Sequence, residues 1–304
     1  MPTLKRLPIR GSVTDPDAIG RSLAGDLNFD LSKGQVAVWT FPENPLGLLN
    51  LQVDLFAPSE LSFLAGLAPW LDAHHVLDVG CGNGAFTARL RRQFPEKKYL
   101  GIDVSPELIA HALSAPVAGV AFSVADFFTF QPEQNFDLIL MRFIVQHLTN
   151  FDAILKQTEK LLSARGVLLI VEPSLEKSRN VPATPAFEAL IANFEQARSD
   201  GGRIRQRLQK PEELLSGHAS WRIAHDEIVY ARHTDPKEIA RIHRLYRKWT
   251  EMFERSGLLT CAFADVYREL EEWAIAGNSR SEIARRAICA APRGSGADIA
   301  PIAA

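Results

Sequence analysis

The sequence predicts an α/β fold, a doubly wound sheet of about seven strands, on three observations. Short apolar, β-branched runs alternate with amphipathic stretches from residue 75 to residue 172. Such buried runs spaced by helices read as a parallel sheet covered on both faces. A turn with three glycines, in VLDVGCGNGAFT (76–87), follows directly on the first run. The bulk composition is that of an ordinary globular chain, with 46% apolar and 23% charged residues in 304.

The elements follow in order. Residues 1 to 57 show no strong period; a short helix is expected after Asp15-Pro16, then the aromatic, Pro/Gly-broken segment VWTFPENPLGLLN. A clearer helix is expected over PSELSFLAGLAPWL, with Ser59 as N-cap and Leu61, Leu64, Ala68 and Leu71 on one face. HVLDVG is the first strand, and NGAFTARLRRQF a helix with Phe86, Leu90 and Phe94 stacked. KYLGID is the second strand; SPELIAHAL is a helix capped by Ser105 with Pro106 at its first position. GVAFSVA and FDLILM are the third and fourth strands. NFDAILKQTEKLLS is a helix expected to close near Gly166, and GVLLIVE the fifth strand. TPAFEALIANFEQARS reads as helix and ASWRIAHDEIVYARH as a sixth strand. Two helices follow, the first with Ile239, Ile242, Leu245, Trp249 and Phe253 on one face, the second with Val266, Leu270 and Trp273. ARRAICAAP is the last strand and 293–304 a loose tail.

Composition excludes several classes. Lys+Arg of 34 against Asp+Glu of 36 gives a net charge of −2, with no one-sign field for nucleic acid or a membrane surface. The basic residues Arg203, Arg205, Arg207 and Lys210, with Arg241, Arg244, Arg247 and Lys248, read as solvated helix faces. No apolar run approaches the ~18 residues of a membrane span. The first residues lack the apolar core of a secretory signal. Cys81, Cys261 and Cys289 are scattered, so neither a disulfide framework nor a metal site is expected, and a cytoplasmic setting is.

The glycine turn selects its ligand. A P-loop needs GxxxxGK[ST], which is absent. The dinucleotide fingerprint puts its third glycine three places after the second, whereas here Gly80, Gly82 and Gly84 alternate. Asp78 precedes the turn, where a carboxylate repels a pyrophosphate but accepts a cation. These features point to S-adenosylmethionine, which has no phosphate and carries an ammonium and a sulfonium. Asp103 ends the second strand, at the spacing of a ribose acid. Asp126 and Phe127, after the third strand, suit the adenine amino group and the purine face.

VLDVGCGNGAFT, YLGIDVS, ADFF, FDLILMRFIVQHL and GVLLIVEP resemble, in order and spacing, the motifs of class I, Rossmann-like S-adenosylmethionine-dependent methyltransferases of small-molecule type, over about residues 58 to 175. The resemblance implies an antiparallel last strand and S-adenosylhomocysteine as product. It implies a cofactor site of Asp78, Gly80, Cys81, Gly82, Gly84, Asp103, Val104, Asp126 and Phe127, with Met141 and Arg142 presenting backbone to the methionine part. The expected organisation is an N-terminal cap (1–57), a methyltransferase domain (58–292) with a helical substrate cover at about 233–281, and the tail.

The acceptor is less constrained. Methyl transfer chiefly requires alignment, worth about 7–11 kcal/mol, and a base only where a proton must leave early. MRFIVQHL stands where nucleic-acid amino-methyltransferases carry an Asn/Asp-Pro-Pro-aromatic run, so a small metabolite or natural product is expected. His147 is the candidate base, and Trp39, His147, Glu172, Tyr246 and Trp249 the candidate substrate contacts; Phe41 and Trp273 add to an aromatic or apolar pocket. Against these readings, Glu172 is also an acid at a strand end, His147 suits a turn cap, and the aromatic face of 239–253 suits a core. A cofactor-binding regulatory subunit and an RNA methyltransferase are the rival functions. The apolar N-terminal helices leave a homodimer open.

Overall fold

The computed structural model describes residues 45–148, 150–199, 208, 210–215, 217–256 and 262–295. The expected helix after Asp15-Pro16, Trp39, Phe41, Arg203, Arg205, Arg207, Cys261 and tail residues 296–304 lie outside the described residues.

The elements are α1 (Pro45–Ala65), α2 (Ala68–Asp72), β1 (His75–Val79), α3 (Ala85–Gln93), β2 (Lys98–Asp103), α4 (Pro106–Ser114), β3 (Val120–Val124), β4 (Phe136–Arg142), α5 (Phe151–Leu161), β5 (Leu162–Pro173), β6 (Arg179–Val181), α6 (Pro185–Ser199), α7 (Pro211–Leu214), β7 (Trp221–His233), α8 (Pro236–Ser256), α9 (Phe263–Ile275) and β8 (Arg280–Pro292). They build one eight-stranded sheet of order β3-β2-β1-β4-β5-β8-β6, with β7 also paired to β8. The pairs from β3 to β5 are parallel, and β8 runs antiparallel to β5, β6 and β7. The antiparallel last strand is therefore as expected, and β6 is the strand that the sequence reading lacked. The order reverses between β1 and β4, so their carboxyl ends flank the crevice where doubly wound sheets bind ligands.

Three cores hold these layers together. On one face, Leu77, Ile102, Ile139, Met141 and Ile170 pack under Ile154 and Leu155 of α5. On the other, Val76, Leu138, Leu140 and Leu169 pack under α1 to α3, with Trp70 and Leu90 fully buried. The third core joins Leu48, Leu51, Leu55 and Phe56 of α1 to Phe187 and Leu190 of α6, Ile242, Leu245 and Trp249 of α8, and Val266, Leu270 and Trp273 of α9.

Helix α1 departs from expectation. It starts at Pro45, passes through Pro58 and crosses the anticipated break at 57/58, so Ser59 is not an N-cap; its hydroxyl donates to Phe56 O at 3.0 Å. The reason is that α1 belongs to two cores: Val53, Ala57 and Leu64 face the sheet, while Leu48, Leu51, Leu55 and Phe56 face the helical layer. A helix buried on several sides loses the single apolar stripe that marks amphipathic helices. Gly166 does not close a helix either: α5 ends at Leu161 and Gly166 lies within β5, where a Cβ would meet Phe136 O at 2.8 Å. Ser105, by contrast, caps α4 by accepting from Leu108 N at 3.2 Å.

Candidate functional site

The site begins at the end of β1, where Gly80, Gly82 and Gly84 have φ of 68°, 56° and 73°. This left-handed region carries a penalty for any residue with a Cβ. Packing adds a second requirement at two of the three. A Cβ on Gly80 would lie 2.2 Å from Ile144 Cδ1, and one on Gly84 would lie 2.5 Å from Phe122 Cζ. Among the described residues, a Cβ on Gly82 would meet only Leu49 Cδ1, at 3.4 Å, so Gly82 marks the more open side of the turn there. The turn is locked to β2: the amides of Gly80 and Cys81 donate to Ile102 O at 2.8 and 3.0 Å. Asn83 Nδ2 ties it to α1 through Asn50 Oδ1 at 2.8 Å.

Two carboxylates frame the turn. Asp103, half-buried at the end of β2, accepts from Gly82 N (2.9 Å) on one oxygen and from Ser105 N (2.9 Å) on the other. The Val104 amide also bears on this carboxylate, whose two oxygens offer about four acceptor sites in all, so acceptor capacity remains. Burial holds its pKa above the usual carboxylate value, against the pull of these amides. Asp78, 3% exposed, accepts from Thr87 Oγ1 at 2.6 Å. Burial pushes it up to about 6, with the Thr87 hydrogen bond and Arg142 pulling the other way. The Cys81 thiol is pushed up by burial and by both acids, so it stays protonated and fills space in the turn.

The sequence reading missed a buried charge network beside Asp78. Arg142 Nε donates to Glu60 Oε2 at 2.8 Å, and Arg285 Nε lies 3.0 Å from Glu60 Oε1, off the hydrogen-bond line. Arg285 also donates to Ile283 O at 2.9 Å and to Ser59 Oγ at 2.5 Å. Its burial lowers its pKa to about 10. The guanidinium of Arg142 lies over the rings of Phe86 and Phe143, at 4.4 and 4.2 Å. Arg142 thus contributes its side chain here, beyond the backbone role expected of it. Glu60 and Arg285 carry no motif; Glu60 is a charge inside a mostly apolar helix, and Arg285 is one of four charged residues in the last strand.

Past β4 the chain makes a strained corner. Phe143 has φ of 60°, uncommon for an aromatic residue, and its amide donates to Val171 O at 2.9 Å. A 3₁₀ turn, Val145–His147, follows and carries half-buried His147 to the rim of the crevice. Glu172, 2% exposed, anchors that turn by accepting from Val145 N at 2.6 Å and Gln146 N at 3.3 Å. The structure therefore gives Glu172 a role in shaping the turn.

The remaining expectations divide. Val104, beside Asp103, is 49% exposed and offers an apolar surface at the rim. Asp126 accepts from Phe128 N at 3.0 Å, closing the bend after β3. Phe127 is 5% exposed and packs in the first core with Met141, so its ring is not presented as a purine wall. Tyr246 and Trp249 are core residues of the helical layer. The Tyr246 hydroxyl is buried between Ser281 Oγ (2.9 Å) and Asn180 Oδ1 (3.2 Å), and its pKa is raised by burial to about 12. The physical cause is the apolar stripe of α8, which is consumed by packing on α1, α6 and α9.

A family model described as a methyltransferase domain matches residues 71–256. Among curated proteins, the trans-aconitate 2-methyltransferase of Methylobacterium nodulans is 34% identical over 123 residues, 38% of this chain and 47% of that protein. That of Escherichia coli O7:K1 is 36% identical over 130 residues, 43% of this chain and 50% of that protein. The chain thus spans about half the length of the curated relatives it matches. Among solved structures, a methyltransferase from Thiobacillus denitrificans in complex with S-adenosyl-L-homocysteine is 19% identical, with a TM-score of 0.47, over 83% of this chain and 99% of that one. The [4+2]-cyclase SpnF is 19% identical, with a TM-score of 0.45, over 78% and 81%. With the family match running from α2 to the end of α8, more than half of its length, the chain belongs to the methyltransferase-domain family, in its class I, Rossmann-like, S-adenosylmethionine-dependent form.

Proposed function

We propose that the chain transfers the methyl group of S-adenosylmethionine to a small-molecule acceptor. The observation that carries this reading is the link from Gly82 N to Asp103 Oδ2 across the open face of the glycine turn. It sets a bare stretch of backbone between two buried or half-buried acids, at the point where the strand order reverses.

The residues fit that cofactor. Asp78 is a buried carboxylate suited to an ammonium, and Asp103 retains acceptor capacity for a vicinal diol. Val104 supplies an exposed apolar face beside Asp103, and Asp126 stands at the end of β3 for an exocyclic amine. When bound, S-adenosylmethionine supplies a methyl carbon that an acceptor's lone pair attacks while the carbon–sulfur bond breaks to a neutral thioether. The protein's part is to hold the two partners in line; alignment of this kind is worth about 7–11 kcal/mol. His147, carried to the rim by the Glu172-anchored turn, is the base for an acceptor whose proton must leave.

The acceptor class is a small molecule, in keeping with relatives named for methylation of trans-aconitate. An aromatic or apolar pocket has lost the support of Tyr246, Trp249 and Trp273, which are core. The test is calorimetric titration with S-adenosylhomocysteine, followed by methyl transfer to a panel of carboxylates, phenols and amines. Asp103→Ala is expected to weaken S-adenosylhomocysteine by about 1.5–3 kcal/mol, the worth of hydrogen bonds to a charged group. Wild-type affinity in that variant overturns the ribose role. For His147→Ala, lost turnover with cofactor affinity and melting temperature kept identifies the base, and unchanged turnover removes it. Binding without transfer to any panel member would instead mark a regulatory subunit.

A further inference from the structure

We propose that the guanidinium of Arg142 is a carboxylate receptor in the crevice, one donor of its side-on fork being held by Glu60 and the other left for a ligand. The proposal rests on the reading of the crevice as the reaction site. Arg142 sits at the end of β4, on the crevice side of the strand-order reversal, and its side chain is nine-tenths buried. Nε is bonded to Glu60, while Nη2, which points the same way in a guanidinium, is buried with no hydrogen-bond partner among the described residues. A buried donor without an acceptor is destabilising, and more so when it carries charge. Such a donor is retained where something else supplies the acceptor.

The ion pairing points the same way. Glu60 is shared as ion-pair partner by two buried guanidiniums, Arg142 and Arg285, so neither has a carboxylate to itself. Arg285 has two further hydrogen bonds, to Ile283 O and Ser59 Oγ, and holds Glu60 through Nε by charge alone; among the described residues Arg142 has only its hydrogen bond to Glu60. The rings of Phe86 and Phe143 lie over the flat surface of Arg142, so a partner must approach in the plane, as carboxylates do. Asp78 lies close enough to feel the charge of Arg142. A buried acid near the end of β1 and a half-satisfied guanidinium at the end of the paired strand β4 complement an ammonium and a carboxylate, the two charges of an α-amino-acid end. A carboxylate on the acceptor has the same chemistry.

The experiment titrates wild type, Arg142→Met and Arg142→Lys with three probes: S-adenosylhomocysteine, its analogue lacking only the carboxylate, and trans-aconitate added to the S-adenosylhomocysteine-loaded protein. Arg142→Lys keeps a charge beside Glu60 but loses the fork, and melting temperatures control for folding. If the cofactor supplies the carboxylate, both variants lose about 10–100-fold for S-adenosylhomocysteine and nothing for the decarboxylated analogue. If the acceptor supplies it, both adenosyl probes are unaffected and trans-aconitate is weakened by a similar factor. Equal weakening of both adenosyl probes, or no change with any probe, overturns the proposal. A wild type that binds neither adenosyl probe sinks the cofactor reading itself, an outcome distinct from any behaviour of the Arg142 variants.

Discussion

The glycine turn can be dissected with two alanine substitutions whose effects should differ in kind. Gly84→Ala meets two obstacles: a φ of 73° and a Cβ placed 2.5 Å from Phe122 Cζ and 2.9 Å from Ala112 Cβ. The left-handed conformation costs about 1–2 kcal/mol and overpacking about 1–3 kcal/mol, so about 2–5 kcal/mol in all. For a domain of this size that is a fall in melting temperature of ~5–15 °C. Gly82→Ala meets only the first, since its Cβ reaches Leu49 Cδ1 at an ordinary 3.4 Å; about 1–2 kcal/mol and ~2–6 °C are expected. The Gly82 methyl, however, stands on the open face where the ligand must approach. Gly82→Ala should therefore lose at least about tenfold in S-adenosylhomocysteine affinity, the equivalent of ~1.4 kcal/mol. Gly84→Ala, titrated well below its melting point, should stay within about threefold of wild type. Paired scanning calorimetry and titration calorimetry read both quantities. If Gly82→Ala binds normally while Gly84→Ala does not, the open face has been assigned to the wrong side of the turn.

Other outcomes follow from the same geometry. Asp78 has its folded pKa raised to about 6 from an unfolded value of 3.8, so its burial as a neutral acid is fully favourable below about pH 4 and that contribution is lost as pH rises through 6. Asp78→Asn should accordingly gain stability relative to wild type between pH 4 and 7, read by urea melts. An ammonium ligand needs the ionised form, so wild-type S-adenosylhomocysteine affinity should fall below about pH 6, by up to about tenfold per pH unit, and the Asn variant should flatten that profile. Glu172→Ala removes the acceptor of Val145 N and Gln146 N and should cost about 1.5–3 kcal/mol in a urea melt. Tyr246→Phe strips a buried hydroxyl from Ser281 and Asn180; a stability loss of about 1 kcal/mol with an unchanged acceptor KM is expected, and a KM change alone would return Tyr246 to the pocket.

What could be read in the chain and what could not has a physical pattern. The strands β1 to β5 and the turn at Gly80–Gly84 are written locally: β-branched runs, capping residues such as Ser105, and glycines at positive φ each leave a mark in a few neighbouring residues. Asp78 and Asp103 were found because their places relative to that turn are local too. Glu60, Arg142 and Arg285 lie far apart in sequence and meet only through packing, so no window of the chain contains their network. Tyr246 and Trp249 misled for a related reason. An amphipathic stripe announces that a helix buries one face, without saying whether the partner is a ligand or another helix, and here α1, α6 and α9 take it. The position of α1 explains its own invisibility, because a helix that serves two cores has apolar residues on too many sides for a stripe.

The placement of β8 bears on how the protein comes off the ribosome. This strand is late in the chain, yet it fills the seam between β5 and β7 and pairs with both along much of its length. Until residues 280–292 emerge, the edges of β5 and β7 that will face it stand unpaired. Unpaired strand edges are templates for association with other nascent chains. The same strand delivers Arg285 to the charge network, so the charge balance around Arg142 is completed last. A nascent chain stalled before β8 would display an open seam where β5 and β7 await the strand that joins them.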